Sequence, residues 1–316
     1  MKKIKLIVSK DQGSIKTDAL TEEILQLFDL ELDKEKMKFK EVKLERISSD
    51  TISNDIEFLK DVYSNCNLCI NECHKNRMVG ERGVCDNDAD GHIYINQLEY
   101  GEEKMISPSY MIYFTGCNIK CDFCHQKDNL TYHIGNEYIN YESVIDDISK
   151  KQNEITTISF LGGNPDQSLL GILQFIKKLN DQNIYLPLVW NSNLTHQSFI
   201  SDIINRYFDI FIPDIKFGND ECAYNIAKTK KYVDVVLKNI LCIESSYPII
   251  IRHLPLPGHL KCCSIMIIDF LNDISKEKII IVTILPSLFS DNNFEYNYLR
   301  NILKLKHNLT EENLCQ

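Results

Sequence analysis

Three cysteines, Cys117, Cys121 and Cys124, fall in the spacing C-x3-C-x2-C within the stretch GCNIKCDFCHQ. Four more, Cys66, Cys69, Cys73 and Cys85, follow C-x2-C-x3-C-x11-C. Thiols this close form either disulfides or metal centres. The N-terminal residues MKKIKLIVSKDQG lack the apolar core of a secretory signal, and no uncharged stretch reaches membrane-spanning length. A cytoplasmic location is therefore expected, where thiols stay reduced and clustered cysteines read as metal ligands. A structural zinc site takes four protein ligands. A 4Fe–4S cluster takes one cysteine per iron, so three cysteines leave one iron open to a small chelating molecule. His125 as a fourth ligand would give a Cys3His zinc site, but it directly follows Cys124, whereas the usual ligand spacings skip residues. The four upstream thiols can close a second 4Fe–4S cluster or a zinc site, and their spacing does not separate the two. Arg77 and Arg82 either offset thiolate charge there or are plain surface residues. The other five cysteines, at 222, 242, 262, 263 and 315, show no close ligand spacing, and His133, His196 and His259 read as isolated.

The composition narrows the partners. The 316 residues are 44% hydrophobic and carry a formal net charge of -10. That is enough apolar material for a globular core, and the acidic balance argues against nucleic acid, which is bound through phosphate contacts. No membrane partner is expected.

The elements that must hold these thiols are legible as periodic segments. Residues 1–64 read as a mostly helical N-terminal extension. Within it, LTEEILQLFDLELD and DTISNDIEFLKDVY have helical spacing, the second with Ser53 as a candidate cap. Residues 65–107 read as a cysteine-rich metal or cluster lobe ending in a short strand, HIYINQ. From 108 to 316, six apolar strand segments begin near Met111, Ile155, Ile184, Phe208, Tyr247 and Lys278. Helical patterns fit between them at 141–151, 166–180, 195–206, 221–243 and 262–273, with a C-terminal helix at 294–307. Strands alternating with helices imply a parallel α/β sheet. Six units are too few for a closed eightfold barrel, so an open, partial (β/α)6 TIM-like barrel is expected, with its polar strand ends at one ligand-binding rim. Trp190 reads as core packing.

The loop FTGCNIKCDFCHQKD after the first barrel strand resembles that of the radical S-adenosylmethionine (SAM) superfamily. Phe123 occupies the aromatic place before the third cysteine. The surroundings resemble the pyruvate formate-lyase activating enzyme-like group, with an upstream cysteine-rich segment. NCNLCINECHKN, GERGVC, FLGGNPDQSLLGIL, PDIK and RHLPLPG carry that likeness, which covers about residues 65 to 285. The resemblance implies a 4Fe–4S cluster on Cys117, Cys121 and Cys124 that chelates SAM. It implies that Gly162 and Gly163 receive the methionine amino group, although Asn164 stands where many members have glutamate. Taken alone, that turn is an ordinary strand-to-helix connection. Asn191 and Asn193 can bond ribose or carboxylate, or cap the next helix. Asp214 and Lys216, two apart on a strand, share a face and can pair or clamp a zwitterion. Arg252 suits a carboxylate, or a buried ion pair in the fold. His253 belongs to the implied site, although a regular strand would turn it to the opposite face.

The implied reaction is reductive cleavage of SAM, with hydrogen abstraction by the resulting 5′-deoxyadenosyl radical. One electron would come from a donor such as flavodoxin or ferredoxin. The substrate is expected to be a protein or peptide, with glycyl radical enzyme activation as one form. The alternatives are a maturase or modifying enzyme acting on another peptide or a small metabolite, and a noncatalytic cluster- or zinc-binding regulator.

Overall fold

The computed structural model describes residues 4–8, 47–103, 106–124, 126–127, 130, 138–245, 249–256, 258–274 and 280–284. Eight strands form one sheet: β1 (Ile4–Val8), β2 (Ile93–Glu99), β3 (Ser109–Phe114), β4 (Thr157–Gly162), β5 (Leu188–Ser192), β6 (Ile210–Ile215), β7 (Ile249–His253) and β8 (Ile280–Ile284). Their order across the sheet is β1-β8-β7-β6-β5-β4-β3-β2. From β3 to β8 every neighbour is parallel. β1 adds to β8 in parallel, and β2 closes the other edge antiparallel. The order never reverses, as it would at the switch point of a doubly wound sheet, so the architecture is a mostly parallel, partial-barrel sheet.

The sequence explains these choices. β3, β4 and β6 are almost wholly buried, as strands covered on both faces must be, and they read as continuous apolar runs. β2 is buried only at Ile93 and otherwise half-buried or exposed, which suits an edge strand. Ile4–Val8, expected within a helical extension, is instead an apolar strand on the free edge of β8.

Helices flank the sheet: α1 (Ser49–Ser64), α2 (Tyr141–Lys151), α3 (Leu169–Asp181), α4 (Ser201–Tyr207), α5 (Asp220–Ala227), α6 (Tyr232–Cys242) and α7 (Ile265–Ile274). Three differ from expectation; the one expected over 195–206 starts only at Ser201, after a 3-10 turn at Ser198–Ile200. Ser48, rather than Ser53, caps α1, its side chain accepting from Thr51 N at 3.1 Å; Ser53 lies inside the helix and donates to Ser49 O. The helix expected over 221–243 is two. Lys228 and Lys231 take left-handed backbone (φ 54° and 56°), and the polar stretch between them ends one helix before the next starts. The segments expected to be helical near Leu20 and at 294–307 lie outside the described residues. No described helix is long and apolar enough to cross a membrane. Trp190 is fully buried and packs against Phe208.

The cysteine-rich segment is bound tightly to the barrel. The boundary expected between 107 and 108 falls between β2 and β3, which pair over their whole length. Arg77 is 1% exposed, so it is no surface residue. It donates to the carbonyls of Asn87 (3.1 Å), Asp88 and Gln167, and its guanidinium lies 4.2 Å from the Tyr63 ring centre. A buried cation satisfied by carbonyls from two segments ties the lobe to the helix entry after β4. Arg77→Ala should lower unfolding free energy by about 3 kcal/mol, since charged hydrogen bonds are worth about 1.5–3 kcal/mol each and the carbonyls are left unpaired. A shift in anaerobic urea midpoint, with unchanged slope, is the check.

Candidate functional site

The three-cysteine loop leaves β3 at Phe114, and its backbone is held by its neighbours. Cys117 N donates to Cys85 O, Lys120 N to Ala227 O, and Asp122 N to Ile226 O. Gly116 O accepts from Asn164 N at 2.9 Å, and Gly163 N donates to Phe114 O at 2.9 Å. A Cβ on Gly163 would lie 2.0 Å from Gly116 O, so glycine is needed where β4 meets the loop. Gly162, at φ 124°, turns the chain there.

This arrangement opens a cavity of about 310 Å³, in the range of cofactor pockets. Cys117, Cys121, Cys124 and Phe123 line it together with Gly162, Gly163, Asn191, Asn193, Asp214, Lys216 and Arg252. Glu102, Met111 and Tyr113 also line it, and no motif pointed to them. His253 is not among the lining residues. It is buried, accepts from Ser264 Oγ at Nε2 (2.8 Å), and donates from Nδ1 to Ile215 O (2.8 Å). Cavity-facing and buried positions alternate along β7, so neighbours 252 and 253 take opposite sides. His125 lies outside the described residues.

The polar lining is already internally paired. Lys216 Nζ donates to Asp214 Oδ2 at 3.1 Å. Burial opposes the Lys216 charge, but Asp214 and then Cys121 outweigh it and raise its pKa. Arg252 forks onto Glu103 at 3.1 and 2.7 Å, pairs with Glu102, and donates to Asn191 Oδ1 at 3.4 Å. The buried ion pair is thus the contact Arg252 makes in the structure. Asp214 and Arg252 are register partners on β6 and β7. Asn191 Nδ2 donates to Ile212 O, fixing its amide across the two strands. Asn193 accepts from Thr195 N like a cap, while its Nδ2 lies 3.9 Å from Cys117 Sγ. Asn164 is buried, bridging Gln167 and Asn193, so its side chain serves the scaffold.

Burial pushes the Cys117 thiol up to about 11 and Cys121 to about 12. They therefore need a bound metal to become thiolates, which coordination supplies. The donor set fits: three thiols, a backbone cradle at the glycine pair and paired charges share one cavity.

The four upstream cysteines lie beside this loop. Cys66, Cys69 and Cys85 are buried and Cys73 half-buried. The hydrogen bond from Cys117 N to Cys85 O, and one from Asn71 Nδ2 to Asn118 O at 2.7 Å, join the two groups. A further group was invisible in the sequence. Cys222, His259, Cys262 and Cys263 bring their ligand atoms within 4.8 Å of one another. Only the spacing His259-x2-Cys262-Cys263 hinted at it; Cys222 arrives from another element.

The fold is a sequentially ordered parallel sheet of partial-barrel type, with a three-thiol loop at the end of its first barrel strand. A family model described as a 4Fe-4S single cluster domain matches residues 108–227. The uncharacterized protein MJ0674 of Methanocaldococcus jannaschii is 35% identical over 235 residues, covering 72% of this chain and 68% of that protein. Among solved structures, Streptococcus suis SuiB bound to precursor peptide SuiA aligns at 12% identity and TM-score 0.44, covering 60% of this chain and 44% of that one. The chain thus spans less than half the length of SuiB. Escherichia coli QueE aligns at 14% identity and TM-score 0.40, over 69% of this chain and 91% of QueE. The chain belongs to one family with the M. jannaschii protein, and its residues 108–227 match a 4Fe-4S single cluster domain.

His253 has a measurable consequence. Burial lowers its pKa from 6.5 to about 4. Between those values the unfolded chain binds the proton and the folded chain does not, so stability is full above pH 6.5 and falls towards pH 4. His253→Gln should flatten that part of the profile relative to wild type, measured by urea unfolding across the interval.

Proposed function

We propose that this protein is a radical SAM enzyme that modifies a peptide or a small metabolite. The observation that carries the reading is the convergence of three thiols, the glycine turn and two charge pairs on one cavity. Cys117, Cys121 and Cys124 would hold a 4Fe–4S cluster. When bound there, the cluster supplies an electron to SAM, whose cleavage gives methionine and a 5′-deoxyadenosyl radical that removes a hydrogen atom from substrate. The chain's own residues bind, orient and exclude water. The Gly162–Gly163 backbone offers carbonyls to the amino group. The Asp214–Lys216 pair faces the zwitterionic end, and Asn191 is braced to meet polar ribose or carboxylate oxygens. Arg252, already forked onto Glu103, sets the position of Asp214 and Asn191 more than it offers a free guanidinium.

Glycyl radical enzyme activation is a second reading, supported by the likeness of FTGCNIKCDFCHQKD and RHLPLPG to activase segments. A glycine-centred electron resonance signal on an added partner enzyme separates it from peptide or metabolite modification. Flavodoxin or ferredoxin suits the one-electron demand of either. For the upstream lobe we favour a second 4Fe–4S cluster on Cys66, Cys69, Cys73 and Cys85. Its support is that, among the described residues, these four thiols are not drawn within the 4.8 Å that gathers the Cys222 group. A cluster spreads its ligands over separate irons, one cysteine each.

Replacing Cys117, Cys121 and Cys124 together by alanine should abolish 5′-deoxyadenosine formation. It should also reduce iron from about eight per chain to about four, the content of the remaining cluster. Anaerobic reconstitution, chromatography and metal analysis read both. Undiminished cleavage in the triple variant would overturn the assignment. A loss of iron to zero would instead place no cluster on the upstream thiols. Asp214→Asn should weaken SAM binding about tenfold, equivalent to about 1.4 kcal/mol, as measured by equilibrium dialysis.

A further inference from the structure

We propose that Cys222, His259, Cys262 and Cys263 form a structural zinc site that clips the exit of β6 to the exit of β7. The inference does not depend on the reaction assigned above. The ligand atoms are already at single-ion spacing: Cys222 Sγ lies 3.5 Å from Cys262 Sγ and 3.3 Å from His259 Nδ1, and Cys262 Sγ lies 3.4 Å from the same nitrogen. Tetrahedral zinc, with bonds of about 2.3 Å to sulfur and about 2.0–2.1 Å to nitrogen, places neighbouring ligands about 3.5–3.8 Å apart. Cys263 completes the set within 4.8 Å. A four-iron cluster would need its thiols further apart, one on each iron. Cys3His is a closed structural donor set, with no position left for substrate.

The surroundings are built for it. Asn219 caps α5 through Oδ1, which accepts from Cys222 N at 2.8 Å. Its Nδ2 donates to Cys262 O at 2.6 Å and lies 3.3 Å from Cys222 Sγ. One amide thus fixes a ligand's helix, a second ligand's backbone and one sulfur, as outer partners of metal ligands do. Cys222 sits in the first turn of α5, where the helix dipole favours a thiolate. His259 O accepts from Cys263 N at 2.9 Å, which winds the three C-terminal ligands into one turn, the π-helical Leu260–Ser264. Gly218 lets that turn approach: a Cβ there would lie 2.4 Å from Cys263 O.

The clip has a structural target. Residues 216 and 252, both on the cavity, precede its two halves in the chain. The far end of α5 offers Ile226 O and Ala227 O to the backbone of the three-cysteine loop. Metal at one end of α5 therefore steadies the helix on which that loop rests.

The test uses the full chain, purified anaerobically from zinc-supplemented medium and loaded with iron and sulfide. About one zinc per chain is expected beside the iron. Cys262→Ser and His259→Ala should each lose that zinc, whereas Cys66→Ser/Cys69→Ser should keep it. His259→Cys, which preserves the donor count, should bind zinc like wild type. Cobalt(II) added to metal-free wild type should give the intense visible bands of a tetrahedral thiolate site, absent in Cys262→Ser. Because the cobalt spectrum is read on wild type, misfolding of a variant does not leave the question open. No zinc and no tetrahedral cobalt spectrum in wild type would overturn the proposal. So would zinc lost only from the Cys66→Ser/Cys69→Ser variant, or a Cys222–Cys262 disulfide found after anaerobic alkylation.

Discussion

The loop that presents three thiols to the cavity spends little of its backbone on a helix or a sheet ladder. Residues 116–124 borrow partners instead. Their amides and carbonyls reach Cys85, Leu130, Asn164, Ile226 and Ala227, on segments scattered over more than a hundred positions of chain. Buried backbone groups must be paired, so the loop has its shape only once those segments are in place. The glycine turn after β4, the helix after β6 and the upstream lobe are thus parts of one assembly. A single displaced neighbour strips a hydrogen bond from the backbone between two ligands.

The charges on the cavity follow the same logic of prior pairing. Asp214 with Lys216, and Glu102 and Glu103 with Arg252, gather five ionised side chains on or beside a mostly apolar wall. Isolated, each charge would be costly to bury; the pairing with Lys216 and Arg252 offsets that cost, although burial and then the neighbouring Glu103 still raise the Glu102 pKa. A zwitterionic ligand entering here meets fixed charges that need little rearrangement, which is how a preorganised site gains over water. The cost falls on Arg252, whose fork is already committed to Glu103.

The strand succession was legible because six buried, parallel strands must be near-continuous apolar runs, and Ser159 or Asp214 barely interrupts them. The ligand loop was legible because its cysteines are local. Long-range facts were not. The Cys222 group depends on α5 and the turn after β7 coming together, and a lone Cys222 has no ligand spacing to declare it. Glu102 and Glu103 precede β3 and gave no sign that they would reach Arg252. The break at Lys228–Lys231 escaped notice because the helical periodicity resumes after it, while the left-handed residues that end α5 are lysines rather than glycine. His253 was marked by a family motif that conserves a dipeptide; strand geometry sends only its first member to the cavity.

The upstream lobe and the Cys222 group bear on the three-cysteine loop from opposite ends. Cys85 O receives the amide of Cys117, the first thiol of the loop, while α5 receives the amides on either side of Cys121. Each support carries its own set of thiols on irregular backbone: Glu72, His74 and Asp86 are left-handed, and a π turn carries Cys262 and Cys263. Metal binding can supply folding energy where such turns do not. With metal bound at both sets of thiols as proposed, the order of the three-thiol loop would depend on metal-organised structure on both sides, through the hydrogen bonds of Cys85 O, Ile226 O and Ala227 O.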